Sequence, residues 1–398
     1  MKIARIIYDW PPPWQGLAPA PYEMSKAQVR LGHTIDIFCG MWPGSGEIEQ
    51  ISGVTLHPFY REPFPGSLNL TISVWLFFSY LNWRRKNKID ILHSHGHFGI
   101  WIYLYRLILK KIMPWSNEAT TPLIAHFHNT VEGREESLQK RDTPVKWYSK
   151  YIAWPLGKLS DKWAVAAADA CIFVSGDTRD QAIKFYKANP DKCFVVESGV
   201  NPELFKPIGR EEFEKTRSDL NLDPLDKVIL NTGIMLERKN IHLLLGALLH
   251  LPHNYKVMLV GPGDPKYLQQ LSDFIAQKNL KDRVIRVGYT PYPQQPIAYQ
   301  AADVFVLPSS FEGLPKVVME SLACGVPTLV SGFRIQEEIE GVYYLQNLDT
   351  AEIAAEIKHI IENPKRVNVN KVVTLYSWDE KARQVDKVYE FAQNKYKK

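Results

Sequence analysis

Glu312 and Glu320 have seven residues between them, among them Gly313 and Pro315. The apolar run Val304–Leu307 precedes them, and the stretch from Pro315 to Gly325 suits a helix. A strand, a loop and a helix in that order put the loop at a helix N-terminus. There the first backbone N–H groups are unpaired and the positive end of the dipole faces outward, which suits phosphate. Proline fits the first helical turn because its missing N–H would be unpaired anyway. Glycine permits close backbone approach or positive φ. Two carboxylates beside such a site repel phosphate, yet they accept well from hydroxyls. The pattern fits a diphosphate flanked by two hydroxylated groups, one carboxylate holding a sugar and the other a ribose. Taken singly, each glutamate is more often a solvated charge. The strand, glycine loop, proline and helix around them favour a site.

A diphosphate leaving group needs positive charge where negative charge develops. Arg238 and Lys239 lie shortly after the strand candidate Val228–Thr232 and Gly233. Arginine offers a planar fork and lysine a point charge; the plainer reading of an adjacent pair is a solvated surface. Near the N-terminus, a strand candidate runs into Asp9-Trp10-Pro11-Pro12-Pro13-Trp14-Gln15-Gly16-Leu17. Prolines stiffen that loop, and Trp10 and Trp14 either stack on a sugar or cover the loop. Histidines alternate at His93, His95 and His97 and again at His126 and His128. Alternation along a strand puts them on one face. No carboxylate set completes a metal site there, so no metal is expected. Tyr289, near a strand end, is a candidate for contact with a nucleotide base.

These residues need a frame, and apolar runs alternating with helix-length segments supply one. Strand candidates are Lys2–Tyr8, Thr34–Phe38, Ile89–His93, Leu123–Phe127 and Ala170–Val174, with helices at Pro21–Leu31, Ile100–Ile112 and Val145–Ala168. A second series follows at Val228–Thr232, Lys256–Val260, Val284–Val287, Val304–Leu307 and Thr328–Val330. This is the α/β pattern of parallel sheets with helices on both faces. Turn chemistry at Glu197-Ser198-Gly199-Val200-Asn201-Pro202 divides the series, with the boundary within 198–207. The expected parts are residues 1–198, residues 199–375, and a C-terminal helix in 376–398 that packs back across the junction. Ligands of such sheets bind beyond the carboxyl ends of the strands, so two facing domains make a cleft for two substrates.

A chain of 398 residues is comfortable for two domains. Its net charge of +5, from 48 basic and 43 acidic residues, does not imply nucleic-acid binding. Cys39, Cys171, Cys193 and Cys324 are too scattered for a metal or redox motif and read as reduced thiols. No stretch approaches the roughly 20 apolar residues of a spanning helix. Arg5 and Asp9 interrupt the N-terminal apolar run, which reads as a strand rather than a signal peptide. The expected location is the cytoplasm. Segment 67–83, followed by Arg84-Arg85-Lys86-Asn87-Lys88, and segment Trp101–Trp115 with Arg106, Lys110 and Lys111 combine apolar and basic character. Such segments suit contact with an anionic membrane face and a lipid-linked acceptor; ordinary helices with solvated ends are the plainer reading.

Taken together, the segment Glu312–Glu320 resembles the E-x7-E motif of retaining glycosyltransferases of family 4, which have the GT-B fold. Further stretches fit the same family. Gly32-His33 resembles its first βαβ unit, and Asp90-Ile91-Leu92-His93-Ser94-His95 its D-x-x-H-x-H strand end. Ser198-Gly199-Val200-Asn201 with Phe205 and Pro207 resembles its linker, and Leu259–Gly263 and Tyr299–Pro308 also match. The resemblance implies a retaining transferase that moves a sugar from a nucleotide-diphosphate sugar to a glycan, lipid-linked or small-molecule acceptor, with no metal. It implies that Glu312 contacts the donor sugar, Glu320 the ribose, and the backbone around Gly313, Leu314 and Pro315 the sugar or phosphates. Arg238, Lys239 and the loop at Gly16 would lie near the phosphates. His128 would face the donor sugar and support the transition state, while His93 and His126 read as structural. Ile234 stands where many members have arginine, Gln15 where a second glycine is common, and Asn240 where glycine is usual. A catalytically silent scaffold or partner subunit is the alternative those departures support.

Overall fold

The computed structural model describes residues 1–12, 14, 18–42, 49–60, 71–139, 147–335 and 337–396. The chain forms two compact units, Met1–Ser198 with Trp378–Lys398, and Gly199–Ser377.

The first unit holds a parallel sheet of β1 (Lys2–Ile7), β2 (Thr34–Met41), β3 (Val54–Tyr60), β4 (Ile91–His95), β5 (Leu123–Phe127), β6 (Ala170–Phe173) and β7 (Cys193–Val195). Their order is β3-β2-β1-β4-β5-β6-β7. The two-residue period of a strand splits the apolar side chains between two cores. Ala4, Ile6, Leu92, Leu123, Ala125 and Phe127 face one of them. Ile3, Ile7, Ile91 and Ile124 face the other, and the C-terminal helix Trp378–Asn394 covers that side. Trp378, Ala382, Val385, Tyr389 and Ala392 are its buried stripe, at the spacing of an amphipathic helix. Although last in the chain, this helix therefore belongs to the first unit. Its end is tied down through Asp169, which accepts from Lys395 at 2.8 Å, Tyr396 at 2.8 Å and Arg106 at 3.0 Å.

The second unit holds a parallel sheet of β8 (Lys227–Thr232), β9 (Tyr255–Val260), β10 (Val284–Gly288), β11 (Val304–Pro308), β12 (Thr328–Ser331) and β13 (Val342–Tyr344), in the order β10-β9-β8-β11-β12-β13. Its central strands are almost wholly buried, as expected when helices cover both faces.

The sequence's strand candidates omit β3, β7 and β13. All three are sheet edges and largely half-exposed; β7 and β13 are only 3 residues long, and His57 and Pro58 interrupt β3. β4 begins two residues later than expected, where Asp90 ties back to Lys2 on both backbone and side chain, and it runs on to His95. The helix expected over 145–168 is an α-helix at Trp154–Ala167 preceded by a π-helical turn at Ser149–Ala153. Pro155 sits at its start, the one place where a helix tolerates proline. Among the described residues no helix is long and apolar enough to cross a membrane.

Candidate functional site

The loops that leave β8, β11 and β12 gather at one end of the second sheet, beyond the carboxyl ends of parallel strands. Helix Lys316–Ala323 starts there, with Pro315 as its cap residue. Among the described residues, the N–H groups of Gly313, Leu314, Lys316 and Val317 donate to no backbone oxygen. They lie at or just before the N-terminus of the helix, the positive end of its dipole, where anions bind.

The loop carrying Glu312 is fastened from three directions. Glu312 N–H donates to Gly332 O at 3.0 Å and Ser310 N–H to Arg238 O at 2.8 Å. Ser331 Oγ donates to Ser309 O at 2.9 Å. Gly332 has φ +81°, and a Cβ there would lie 2.5 Å from Ser309 O, so only glycine permits this approach. The carboxylate of Glu312 accepts from Ser309 Oγ at 3.1 Å and pairs with the Arg238 guanidinium. Arg238 also donates to Phe311 O at 2.9 Å. The sequence assigned Arg238 to phosphate and Glu312 to sugar; in the structure the two side chains hold each other.

Lys239 is buried, and its Nζ lies against Gly233, where a Cβ would sit 2.7 Å from it. Burial lowers its pKa, opposed by the charge of Glu312. Asn240, the departure from the family's glycine, has φ +51°. Asparagine tolerates that left-handed conformation, and here its Nδ2 also donates to Pro308 O and Ser310 Oγ, both at 2.9 Å.

Glu320 is no solvated helix residue, being 4% exposed. Tyr299 Oη donates to its Oε2 at 2.8 Å and meets Thr232 Oγ1 at 2.9 Å. Burial raises the Glu320 pKa, opposed by the charge of Lys316 one helical turn earlier and by the Tyr299 bond. Tyr289 follows β10 on the same rim and is about half-exposed. Gly16 lies outside the described residues. The sequence did not single out Tyr299, Ser309 or Lys316 as site residues. Only the position of Lys316, four residues before Glu320, offered a signal.

In the first unit, His93 and His95 on β4 share a face with His126 on β5 and His128 just beyond it, and the four rings stack. His95 Nδ1 and His128 Nε2 are 3.0 Å apart, and His93 Nε2 and His126 Nδ1 are 3.2 Å apart. Burial is the main cause that pulls the pKa values of His93, His95 and His126 well below the usual histidine range. Trp10 is 1% exposed and packs on Tyr22 at 5.6 Å, which settles it as core rather than a sugar platform. Arg106 and Lys110, read from the sequence as surface charge, both turn inward to Asp169.

The sequence profile described as Glycosyltransferase Family 4 matches residues 14–204, and that described as Glycosyl transferases group 1 matches residues 212–372. An uncharacterized glycosyltransferase of Methanocaldococcus jannaschii is 25% identical, with 98% of each chain covered. Sucrose-phosphate synthase of Thermosynechococcus elongatus superposes with a TM-score of 0.74 at 20% identity, over 98% of each chain. HepE of Anabaena, solved with UDP and glucose, superposes with a TM-score of 0.70 at 16% identity, covering 98% of this chain and 99% of its own.

Proposed function

The chain belongs to glycosyltransferase family 4, and from that premise we propose that it transfers a sugar from a nucleotide-diphosphate sugar to an acceptor hydroxyl with retention of anomeric configuration. Its two doubly wound units are those of the GT-B fold. The observation that carries the proposal is the Glu312 carboxylate, held by Arg238 and Ser309 at the start of the helix where the N–H groups of Gly313, Leu314, Lys316 and Val317 donate to no backbone oxygen among the described residues. Those N–H groups, Arg238 and Lys239 suit a diphosphate, and Glu312 suits the hydroxyls of the sugar it carries.

In the reaction, the acceptor oxygen bonds to the anomeric carbon as the carbon–phosphate oxygen bond breaks. The diphosphate leaves with the electron pair and takes the acceptor proton. Arg238 and Lys239 stabilise the charge that develops. By the family resemblance His128 is the candidate to face the donor sugar, and Tyr289 is the candidate for the base. UDP, which HepE binds, is the first nucleotide to test. The chemistry as drawn needs no metal.

A panel of nucleotide-sugars, scored by thermal stabilisation of the protein, tests this. A shift with one donor that Glu312→Ala and Arg238→Ala both lose supports the reading; no shift with any donor favours a silent scaffold. The anomeric signal of the product in nuclear magnetic resonance decides the stereochemistry, and an inverted product overturns retention.

A lipid-linked acceptor is the class the surface supports best. Ile108, Ile112, Met113 and Trp115 are exposed around the end of helix Ile100–Ile112, and Trp115 reaches 74% exposure. Lys111 is exposed among them, and Arg85, Lys86 and Lys88 are exposed at and beyond the end of the adjoining helix Ser73–Arg84. Exposed apolar side chains with basic neighbours match an anionic lipid surface. Reversing the charges of Arg85, Lys86 and Lys88 is expected to abolish co-sedimentation with phosphatidylglycerol vesicles at low salt; unchanged sedimentation would overturn the membrane contact.

A further inference from the structure

The sheet face under the C-terminal helix carries a buried polar stripe. Arg5 on β1 stands in register with His93 on β4, and His95 with His126 on β5. Arg5 donates to Ser25 Oγ and to Gln28 Oε1. With its oxygen so occupied, the Gln28 amide directs Nε2 to Tyr389 Oη at 3.1 Å. The Arg5 guanidinium bonds the same oxygen, and like Gln28 Nε2 it can only donate, so the one proton of Tyr389 Oη goes to its remaining partner, His93 Nδ1, at 2.6 Å. A histidine that accepts on Nδ1 carries its proton on Nε2. His93 Nε2 therefore donates to His126 Nδ1, and His126 in turn carries its proton on Nε2.

Among the described residues, His126 Nε2 and His95 Nε2 have no hydrogen-bond partner, although the residues are only 5% and 3% exposed. Both residues line one cavity with His128, Glu197 and Ser198, with room for about one water. A water that accepts from His126 Nε2 and donates to His95 Nε2 satisfies both. His95 then carries its proton on Nδ1 and donates to His128 Nε2.

We propose that Tyr389, His93, His126, a water and His95 form one directed hydrogen-bond chain that fixes His128 as the tautomer with its proton on Nδ1, which makes His95 and Tyr389 positioning residues. The proposal rests on the reading of His128 as the residue facing the donor sugar, and it deepens that reading. A fixed tautomer presents a donor, not an acceptor, at His128 Nδ1. Burial keeps the chain's rings neutral, which the directed pattern requires, since a doubly protonated ring accepts nothing. A metal ion fits the cluster less well. The ligand nitrogens of His93, His95 and His126 lie within 4.8 Å of one another, but adjacent rings are within 9° to 23° of parallel. In-plane lone pairs of parallel rings do not converge on one point, and the neighbouring Arg5 charge opposes a cation.

The test is two-bond proton–nitrogen correlation on protein labelled with 15N-histidine, with the His128 signals assigned by their loss in His128→Gln. The wild-type protein should show His128 protonated on Nδ1. Tyr389→Phe and His95→Phe, which keep the ring shape, should each leave His128 a mixture of tautomers and lower kcat by about tenfold with the donor KM little changed. A wild-type His128 protonated on Nε2, an unchanged tautomer in Tyr389→Phe, or a stoichiometric bound metal in the purified protein overturns the proposal. Glu312→Ala should abolish transfer and leave the His128 tautomer as it was, so failure of the transferase reading and failure of the hydrogen-bond chain are separable.

Discussion

The carboxyl ends of β8 and β11 in the second unit and those of β4 and β5 in the first are equivalent places in two parallel sheets, furnished in opposite ways. In the second unit Glu312 and Arg238 follow the ends of their strands and are only partly covered. Glu312 and Arg238 keep 12% and 27% of their side-chain surface exposed. In the first unit the polar groups lie within the strands, and His93 is 0% exposed. Partly covered residues can exchange each other for a ligand, whereas residues in a packed strand can only orient what lies next to them. The second rim therefore reads as the part that binds and the first as the part that holds a geometry.

Glu312→Ala is the sharpest way to break this contrast. Loss of a group that binds the reacting sugar is expected to lower kcat by at least 10²–10³-fold, about 3–4 kcal/mol of barrier. The melting temperature should hold, because the loop keeps its ties from Gly332, Ser331 and Asn240. Rate measurement beside a thermal melt decides it. Surviving transfer would remove the main reading, and a collapsed melt would make Glu312 structural.

Asp169→Asn is the counterpart in the first unit. Its carboxylate is fully buried beneath Arg106, Lys110 and Lys395, and removing it leaves cations unpaired, at about 3–5 kcal/mol. Burial alone would raise the Asp169 pKa, but Lys110, the Lys395 bond, the Leu123 N–H and Arg106 outweigh it and hold the group at about 2. A depressed carboxylate adds stability above its unfolded pKa near 4, and that stability is lost as pH falls toward 2. Urea unfolding of the wild type at pH 6 and pH 3 should show the loss, and Asp169→Asn should lack that part of it.

The carboxylate pair, its glycine and its proline were legible because they lie within ten residues and their logic is local. The histidine alternation was legible for the same reason. What closes on them was not. Tyr299 reaches Glu320 from 21 residues away and Tyr389 reaches His93 from 296, and no local pattern marks such partners. The edge strands were missed because β7 and β13 are only 3 residues long and polar residues with Pro58 interrupt β3. Arg106 and Lys110 read as surface charge because Asp169, which draws them inward, lies far along the chain.

Asn240 sharpens the comparison at a smaller scale, because it shows how the binding rim is braced. Asn240→Gly keeps the φ of +51° but loses both side-chain bonds, for about 1 kcal/mol. Asn240→Ala loses the bonds and adds left-handed strain, for about 2 kcal/mol or more. Chemical denaturation should rank wild type above glycine above alanine. Equal glycine and alanine variants would mean that the conformation at this residue costs nothing.

Asp161 carries the smallest effect and the opposite sign, within the unit that Asp169 stabilises. Its Oδ2 accepts from Val131 N at 2.9 Å and Tyr186 Oη at 3.1 Å, while Oδ1 is buried without a partner. Among the described residues no cation faces it, and Glu132 adds negative charge. Burial therefore raises the Asp161 pKa to about 7, against the two hydrogen bonds. A carboxyl whose folded pKa exceeds its unfolded value near 4 binds more protons when folded, so stability falls as pH rises from about 4 to 7. Asp161→Asn keeps an acceptor for both donors and removes the buried charge. It should flatten that slope and gain on the order of 1 kcal/mol at pH 8. Denaturation midpoints at pH 5 and pH 8 check it. A variant less stable than wild type at pH 8 would show that the charged carboxylate is held by something other than the Val131 N–H and Tyr186, and the contrast with Asp169 would fail.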